Sequence, residues 1–372
     1  MLKGHGGDIY GLARELGCRP EDILDFSSNC SPLPYPDGFH SFIMEHLHQL
    51  HWLPEVDSHS IRLLLSEIYN LPPEAFLMGN GTTEWIFSIP LLAEMKQAVI
   101  PLPTYSDYID AARLAGLKTV TVPAFPVSES LDNKEPLQME LLNSLDRAIS
   151  PGSLVYLCNP NNPTGQFVAP SPLMELISSH PDSIFVVDES YAQFVGDDHE
   201  TSLITHEVRD NLIVLRSFSK IYGIPGLRVG SIVGRGDIFS RLEQQARPWS
   251  VNRMAQLALH FLLGHPDLVK VTREFCQQER NYLIKEITAM DGIAPIQAAT
   301  HFFLAKVSLP DKSGAESSRI LAERLRTKGI LIRDCSNFIG LDKGYIRISP
   351  NIREANNILL KQMQKTIVEL RS

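Results

Sequence analysis

Short apolar runs punctuate the first two thirds of the chain: AVIP from position 98, TVTVP from 119, SLVYLC from 153, IFVVDE from 184, LIVLRS from 212 and GSIVG from 230. Each is rich in Val and Ile and closed by Pro, Asn, Asp, Ser or Gly, the texture of strands buried on both faces. Between several of them lie segments with a helical period, such as SDYIDAARLAG and SPLMELISS. Alternating strand and helix predicts a largely parallel, helix-covered sheet. Beyond about residue 250 the texture changes. NRMAQLALHFLLG and PDLVKVTREFCQQERNYLIKEITAM read as long helices, followed by a strand HFFLAKV, a helix ESSRILAERLRTKG, strands ILIR and YIRIS, and a last helix from about 352. That order predicts a smaller α+β domain closing over an α/β domain. The expected division is an arm and part of the small domain over 1–45, a large domain over 46–250 and a small C-terminal domain over 251–372. No repeat or low-complexity segment interrupts it.

Composition narrows the class of ligand more than the fold. The 372 residues are 44% hydrophobic and 21% charged, enough for a large core. With 34 Lys and Arg against 43 Asp and Glu, the formal charge is −9, which excludes a broadly basic nucleic-acid footprint. An anionic ligand therefore needs a local cluster of cations. The opening MLKGHGGDIYGLARELG has no apolar signal segment, and no stretch approaches the roughly 18 apolar residues of a membrane span, so a cytoplasmic protein is expected. Five scattered cysteines, with no C-x-x-C pair, point to reduced thiols and to no metal site.

Chemistry concentrates where the apolar runs end. Asp188 closes the run in FVVDESY, at the strand end where open α/β sheets hold ligands, although an aspartate there also serves as a turn cap. Asn162 lies in LCNPNNPTG, which follows another buried run and is dense in turn formers. In LRSFSKIYGIPGLRVG, Ser217, Ser219 and Arg228 offer hydroxyls and a planar guanidinium suited to phosphate. Lys220, beside them, is expected to lose its proton readily and to form a Schiff base. Gly81 and Thr82, in LMGNGTTEWIF, open a helix whose free N–H groups attract an anion.

The ordered set N-P-x-N-P-T-G, D-E-x-Y, S-x-S-K and G-L-R-x-G resembles the aspartate-aminotransferase superfamily of fold-type I enzymes dependent on pyridoxal 5′-phosphate, over nearly the whole chain. The resemblance implies that Lys220 carries the cofactor as a Schiff base and that Asp188 pairs with the protonated ring nitrogen, these two being the catalytic residues. It implies ring contacts from Asn162 and Tyr191, stacking by Tyr105 of PTYSDY, and a phosphate site of Ser217, Ser219, Arg228 and the amides around Gly81 and Thr82. A core aromatic is the lesser alternative for Tyr105. An α/β fold whose large domain holds a mostly parallel seven-stranded sheet, and a homodimer, are implied as well.

The segments HGGDIYGLARELG…ILDFSSN, QQARPWSVNRMA and ILIRDCSNFIGLDKGYIRIS resemble the threonine-phosphate decarboxylase family, with histidinol-phosphate aminotransferases as near relatives. This implies decarboxylation of L-threonine O-3-phosphate to (R)-1-amino-2-propanol O-2-phosphate for cobalamin biosynthesis. The alternatives are a histidinol-phosphate or related aminotransferase, and a phosphoserine decarboxylase. A small phosphorylated amino acid suits the residues: Arg333 and Arg347, on successive strands, offer one fork for a carboxylate and one for a phosphate, in an order left open. His5 and Asn29 complete the substrate set by resemblance. Three positions depart from the family pattern. Asp8 stands where Asn follows H-G-G, CSPLP replaces N-P-L-G, and Leu53-Pro54 replaces the Tyr-Pro whose hydroxyl reaches the partner subunit's cofactor phosphate. Asp8 would repel an anionic substrate if it faced the pocket.

Overall fold

The structure is a computed structural model and describes residues 6–124, 134–206, 208–341 and 343–371. Its strands, in chain order, are β1 (Leu24–Asp25), β2 (Phe76–Gly79), β3 (Gln97–Leu102), β4 (Lys118–Pro123), β5 (Ser153–Cys158), β6 (Ile184–Asp188), β7 (Leu212–Ser217), β8 (Gly230–Gly234), β9 (Ile293–Pro295), β10 (Phe303–Val307), β11 (Ile330–Leu331), β12 (Arg333–Asp334) and β13 (Tyr345–Ile348). Seven form one sheet in the order β2-β8-β7-β6-β5-β3-β4, with β3 to β7 parallel and β8 antiparallel to both its neighbours. The six apolar runs are six of these strands. The seventh, β2, is only four residues at the sheet edge, and the sequence presents FLMG as the lead-in to a helix.

Each central strand is buried on both faces and divides its side chains between two layers of the large-domain core. Phe185, Val187, Leu212 and Val214 face helices that include His59–Tyr69 and Pro170–Ser179. Val186, Ile213 and Leu215 face Thr82–Leu92, Asp107–Leu114 and Gly236–Gln244. This is the two-residue period of a strand expressed as two packed layers. The register also lines up the carboxyl ends: Cys158 lies opposite Asp188, and Gly230 lies opposite both Ser217 and Gly79.

The second core surrounds a four-stranded antiparallel sheet in the order β12-β13-β10-β9. The N-terminal arm joins this side, since β1 runs parallel to β11, Phe26 N donates to Leu331 O at 2.8 Å, and the Phe26 ring is fully buried there. The large-domain core takes in residues on both sides of the expected boundaries. Phe39 belongs to the large-domain core, and so do Ala255, Ala258, Leu259 and Leu262 of the helix Arg253–Leu263. The change of texture near 250 marks a change in connectivity rather than a change of core. The helix Asp267–Thr288 then crosses between them, with Cys276 in the first core and Leu283, Ile284 and Ile287 in the second.

Among the described residues, no helix is long and apolar enough to cross a membrane. The packing of Arg253–Leu263 has a direct consequence. Leu259→Ala, at a site with no exposure, should lower unfolding stability by about 2–5 kcal/mol, read by urea denaturation, while leaving cofactor affinity unchanged.

Candidate active site

At the carboxyl end of the large sheet, β6 delivers Asp188 into a cavity of about 160 Å³. Its side chain is fixed from two directions. Tyr108 Oη donates to Oδ2 at 2.8 Å, and Ser190 N donates to Oδ1 at 2.9 Å, with the Ser190 hydroxyl on the same oxygen. Burial raises the Asp188 pKa above the usual carboxylate range, against these hydrogen bonds and the charge of Lys220. A buried carboxylate of this kind favours a cationic partner, such as a protonated ring nitrogen.

The opposite end of the cavity is built for an anion. Gly81 (φ +72°) precedes the eleven-residue helix Thr82–Leu92 and offers it no side-chain cap, so the helix N-terminus opens into the cavity at Thr82 and Thr83. Two close approaches form this cradle. A Cβ on Gly81 would stand 2.7 Å from the Arg228 guanidinium, and one on Gly230 would stand 2.8 Å from Thr82 N. Ser217, Ser219 and Arg228 complete the wall, Ser219 Oγ donating to Val229 O at 3.3 Å.

Lys220 borders this cavity and a second one of about 510 Å³. Its Nζ lies 3.9 Å from the Cys30 sulfur, brought there because Ser31 N bonds the Lys220 carbonyl at 2.9 Å. The protonation balance reverses the expectation from sequence. The Cys30 sulfur, and then Tyr191, favour the ammonium strongly enough to outweigh burial, Arg347 and Arg228, so the Lys220 pKa is raised. The neighbouring cations do not by themselves make this amine a free base.

Tyr105, Asn162 and Tyr191 also line both cavities. Tyr105 sits edge-on to Tyr108 at 5.7 Å, and burial followed by the Asp107 carboxylate pushes its phenol pKa up. The wider cavity carries the residues expected to meet substrate. Asn29, at φ +55°, accepts from the Ser349 hydroxyl and donates to Tyr191 Oη at 3.5 Å. Arg347 is buried, donates to Asn162 Oδ1 and to Ser27 O at 2.7 Å, and keeps an Nε with no hydrogen-bond partner among the described residues. Arg333 bonds Asn337 Oδ1 at 2.7 Å and lies 5.1 Å from the Phe338 ring. His5 lies outside the described residues.

Two departures from the family pattern acquire a structural reading. Asp8 is exposed and caps the helix Ile9–Leu16 through Gly11 N at 2.8 Å, and it does not line either cavity. Cys30, the first residue of CSPLP, does line the substrate side, with its sulfur 3.9 Å from the lysine Nζ. Sequence reasoning missed Tyr108 and Ser190, the two groups that hold Asp188. Tyr108 stands one helical turn from Tyr105, and Ser190 lies two residues beyond Asp188, so both were adjacent to recognised positions. Nothing in the sequence indicated the Cys30 contact.

Over residues 45–360 the chain matches the aminotransferase class I and II family, and it belongs to that family. It is 29% identical to the threonine-phosphate decarboxylase of Salmonella typhimurium, over 98% of this chain and 96% of that one. It is 28% identical to the adenosylcobalamin biosynthesis bifunctional protein of Leptospira interrogans over 96% of this chain, but it spans only 40% of that relative's length. It is 27% identical to the histidinol-phosphate aminotransferase of Methanothermobacter thermautotrophicus, over 97% of this chain and 94% of that one. The solved structure of L-threonine-O-3-phosphate decarboxylase from Porphyromonas gingivalis superimposes with a TM-score of 0.79 at 29% identity, covering 93% of this chain and all of that one. The family's cofactor is pyridoxal 5′-phosphate. The uncapped helix N-terminus, the glycine cradle, the buried Asp188 and the amine of Lys220 fit its phosphate, ring nitrogen and aldehyde.

The cradle makes a specific demand. Gly230→Ala should displace Thr82 and weaken pyridoxal phosphate binding by about tenfold or more, or about 1.4 kcal/mol, in a fluorescence titration. Unchanged affinity would mean that this helix end does not hold the phosphate.

Proposed function

We propose that this chain uses pyridoxal 5′-phosphate to decarboxylate L-threonine O-3-phosphate, giving (R)-1-amino-2-propanol O-2-phosphate for cobalamin biosynthesis. The observation that carries this reading is the presence of Arg333 and Arg347 in the same cavity as Lys220, an arrangement suited to a small amino acid with two anionic groups. The decarboxylase relatives support it. An aminotransferase acting on histidinol phosphate is the second reading, supported by a relative of nearly the same identity.

When bound, the cofactor supplies a conjugated electron sink for the pair left behind at the substrate's α-carbon. Asp188, held by Tyr108 and Ser190, maintains a negative charge at the ring-nitrogen end. Arg347 is anchored by Asn162 and Ser27, so its guanidinium can fix an acidic group without first being ordered. Fixing the carboxylate is how the protein would select which bond to the α-carbon breaks. Lys220, at the boundary of the two cavities, is the group positioned to return a proton to that carbon.

The proposed partner is a second copy of the chain. Met44, Leu50, Trp52, Leu53 and Val56 expose 56–72% of their surface within thirteen residues, an apolar patch that favours a protein partner. Leu53 has no hydroxyl, so the partner's phosphate contact expected of Tyr-Pro is not available from this position.

Two measurements test these readings. Purified protein given phosphothreonine should release CO2 and form the amine phosphate, and Arg347→Leu should reduce that rate by about 10–100-fold through loss of a charge-assisted bond. Glutamate-coupled turnover of histidinol phosphate, without CO2 release from phosphothreonine, would replace this reading with the second. In sedimentation velocity, Leu53→Asp should shift the population from dimer to monomer, and an unchanged dimer would place the interface elsewhere.

A further inference from the structure

Immediately beneath the cofactor site lies a buried ionic cluster that touches neither cavity. Glu189 follows Asp188, and Arg216 precedes Ser217, so strand alternation turns both away from the site, toward the core that contains Val187 and Val214. Their side chains are essentially without exposure, at 0% and 1%. Arg216 Nη2 reaches Glu189 Oε2 at 3.3 Å, Asp198 Oδ1 at 3.0 Å and Ser202 Oγ at 2.8 Å. Glu189 also accepts from the Ser202 hydroxyl and from Leu203 N at 2.7 Å, and Tyr69 Oη donates to Asp198 at 2.9 Å.

We propose that Glu189 and Arg216 are positioning residues, a buried clamp that sets the separation of β6 and β7 where their ladder ends and so fixes Asp188 relative to Ser217 and Lys220. Asp188 is the last paired residue of β6, opposite Leu215, and one further bond, Glu189 N to Leu215 O at 2.9 Å, closes the ladder. Beyond that bond β6 turns at Ser190, while β7 stays paired with β8 through Ser217 before entering the short helix Phe218–Ile221 that carries Lys220. Among the described residues no further backbone bond joins β6 to β7 there, so the link between them passes to the Glu189 and Arg216 side chains. A buried ion pair is a poor source of net stability, because desolvation cancels most of its attraction, but its directional bonds restrict geometry. Burial pushes the Glu189 carboxyl up to about 7 even with Arg216 beside it, so the position carries a real desolvation cost. The clamp acts on how the cofactor is held, so it is independent of whether the reaction is decarboxylation or transamination.

The test reads the bound cofactor rather than turnover. Glu189→Gln keeps the shape but removes the charge, and Ser202→Ala removes one bonding partner of both residues. Each variant is loaded with pyridoxal phosphate, and three quantities are measured: the dissociation constant by fluorescence, the visible circular-dichroism band of the bound cofactor, and the melting temperature of the cofactor-free chain. The expected result for Glu189→Gln is a dissociation constant raised about tenfold and a band reduced by about half or more, with a smaller change of the same kind for Ser202→Ala. Leu259→Ala, which lowers stability away from the site, should leave both cofactor readouts at wild-type values. Variants that melt earlier but bind with wild-type affinity and an unaltered band would overturn the proposal and leave the cluster a structural one. Should Glu189→Gln fail to fold, Ser202→Ala decides by the same two readouts.

Discussion

Alternation at the carboxyl ends of β6 and β7 is the constraint on which the site depends. Asp188 and Ser217 face one layer while their chain neighbours Glu189 and Arg216 face the other. A slip of one residue in either strand would exchange the candidate ring-nitrogen partner or a candidate phosphate ligand for a member of a buried ion pair. The long apolar strands specify that register, and the two polar pairs at their ends are specified by it. The catalytic geometry is therefore a by-product of the same packing that makes the core.

An acidic protein offers a candidate anion site here without any general positive field. The net charge is −9, and the anion-binding capacity comes from one helix N-terminus, one guanidinium and two glycines that leave room for close approach. Backbone N–H groups are fixed in direction by the helix and require no long side chain to be ordered. Gly81 and Gly230 act jointly, because Gly230 lies opposite both Ser217 and Gly79 in the sheet, and this places the helix N-terminus against the start of β8.

Much of this was legible in the sequence because the chemistry requires rare residue types at strand ends. Lys220, Asp188, Asn162 and Arg228 could be placed by asking what each apolar run delivers. What remained hidden depended on contacts between segments distant in sequence. Tyr108 is an ordinary aromatic of an amphipathic helix until it is seen 2.8 Å from Asp188. The raised pKa of Lys220 reflects a cysteine 190 positions earlier, and no reading of the lysine's own neighbours would give its direction. Asp8 looked like a misplaced charge because its role as a helix cap depends on a bond to Gly11 N. The core that the helix Arg253–Leu263 joins was hidden for a related reason: periodicity shows that a helix has an apolar face but not which core the face joins.

The division of labour between the domains follows from where the remaining bonds run. Cofactor residues come from the large sheet and its loops, whereas Arg333 and Arg347 come from the small sheet and Asn29 from the arm. The arm is bound to the small domain by the β1–β11 pairing, by Arg347 on Ser27 O and by Ser349 on Asn29. The candidate substrate residues thus form one rigid wall, although they are more than 300 positions apart in the chain. That wall meets the cofactor side directly where Arg347 bonds Asn162. The arm is tied to the cofactor side as well, through Ser31 N on the Lys220 carbonyl and Asn29 on Tyr191, so the wall is set in a defined place against Lys220. Changes in this wall can therefore alter which substrate bond is presented to a fixed cofactor, and this is a physical route by which one family accommodates both decarboxylation and transamination.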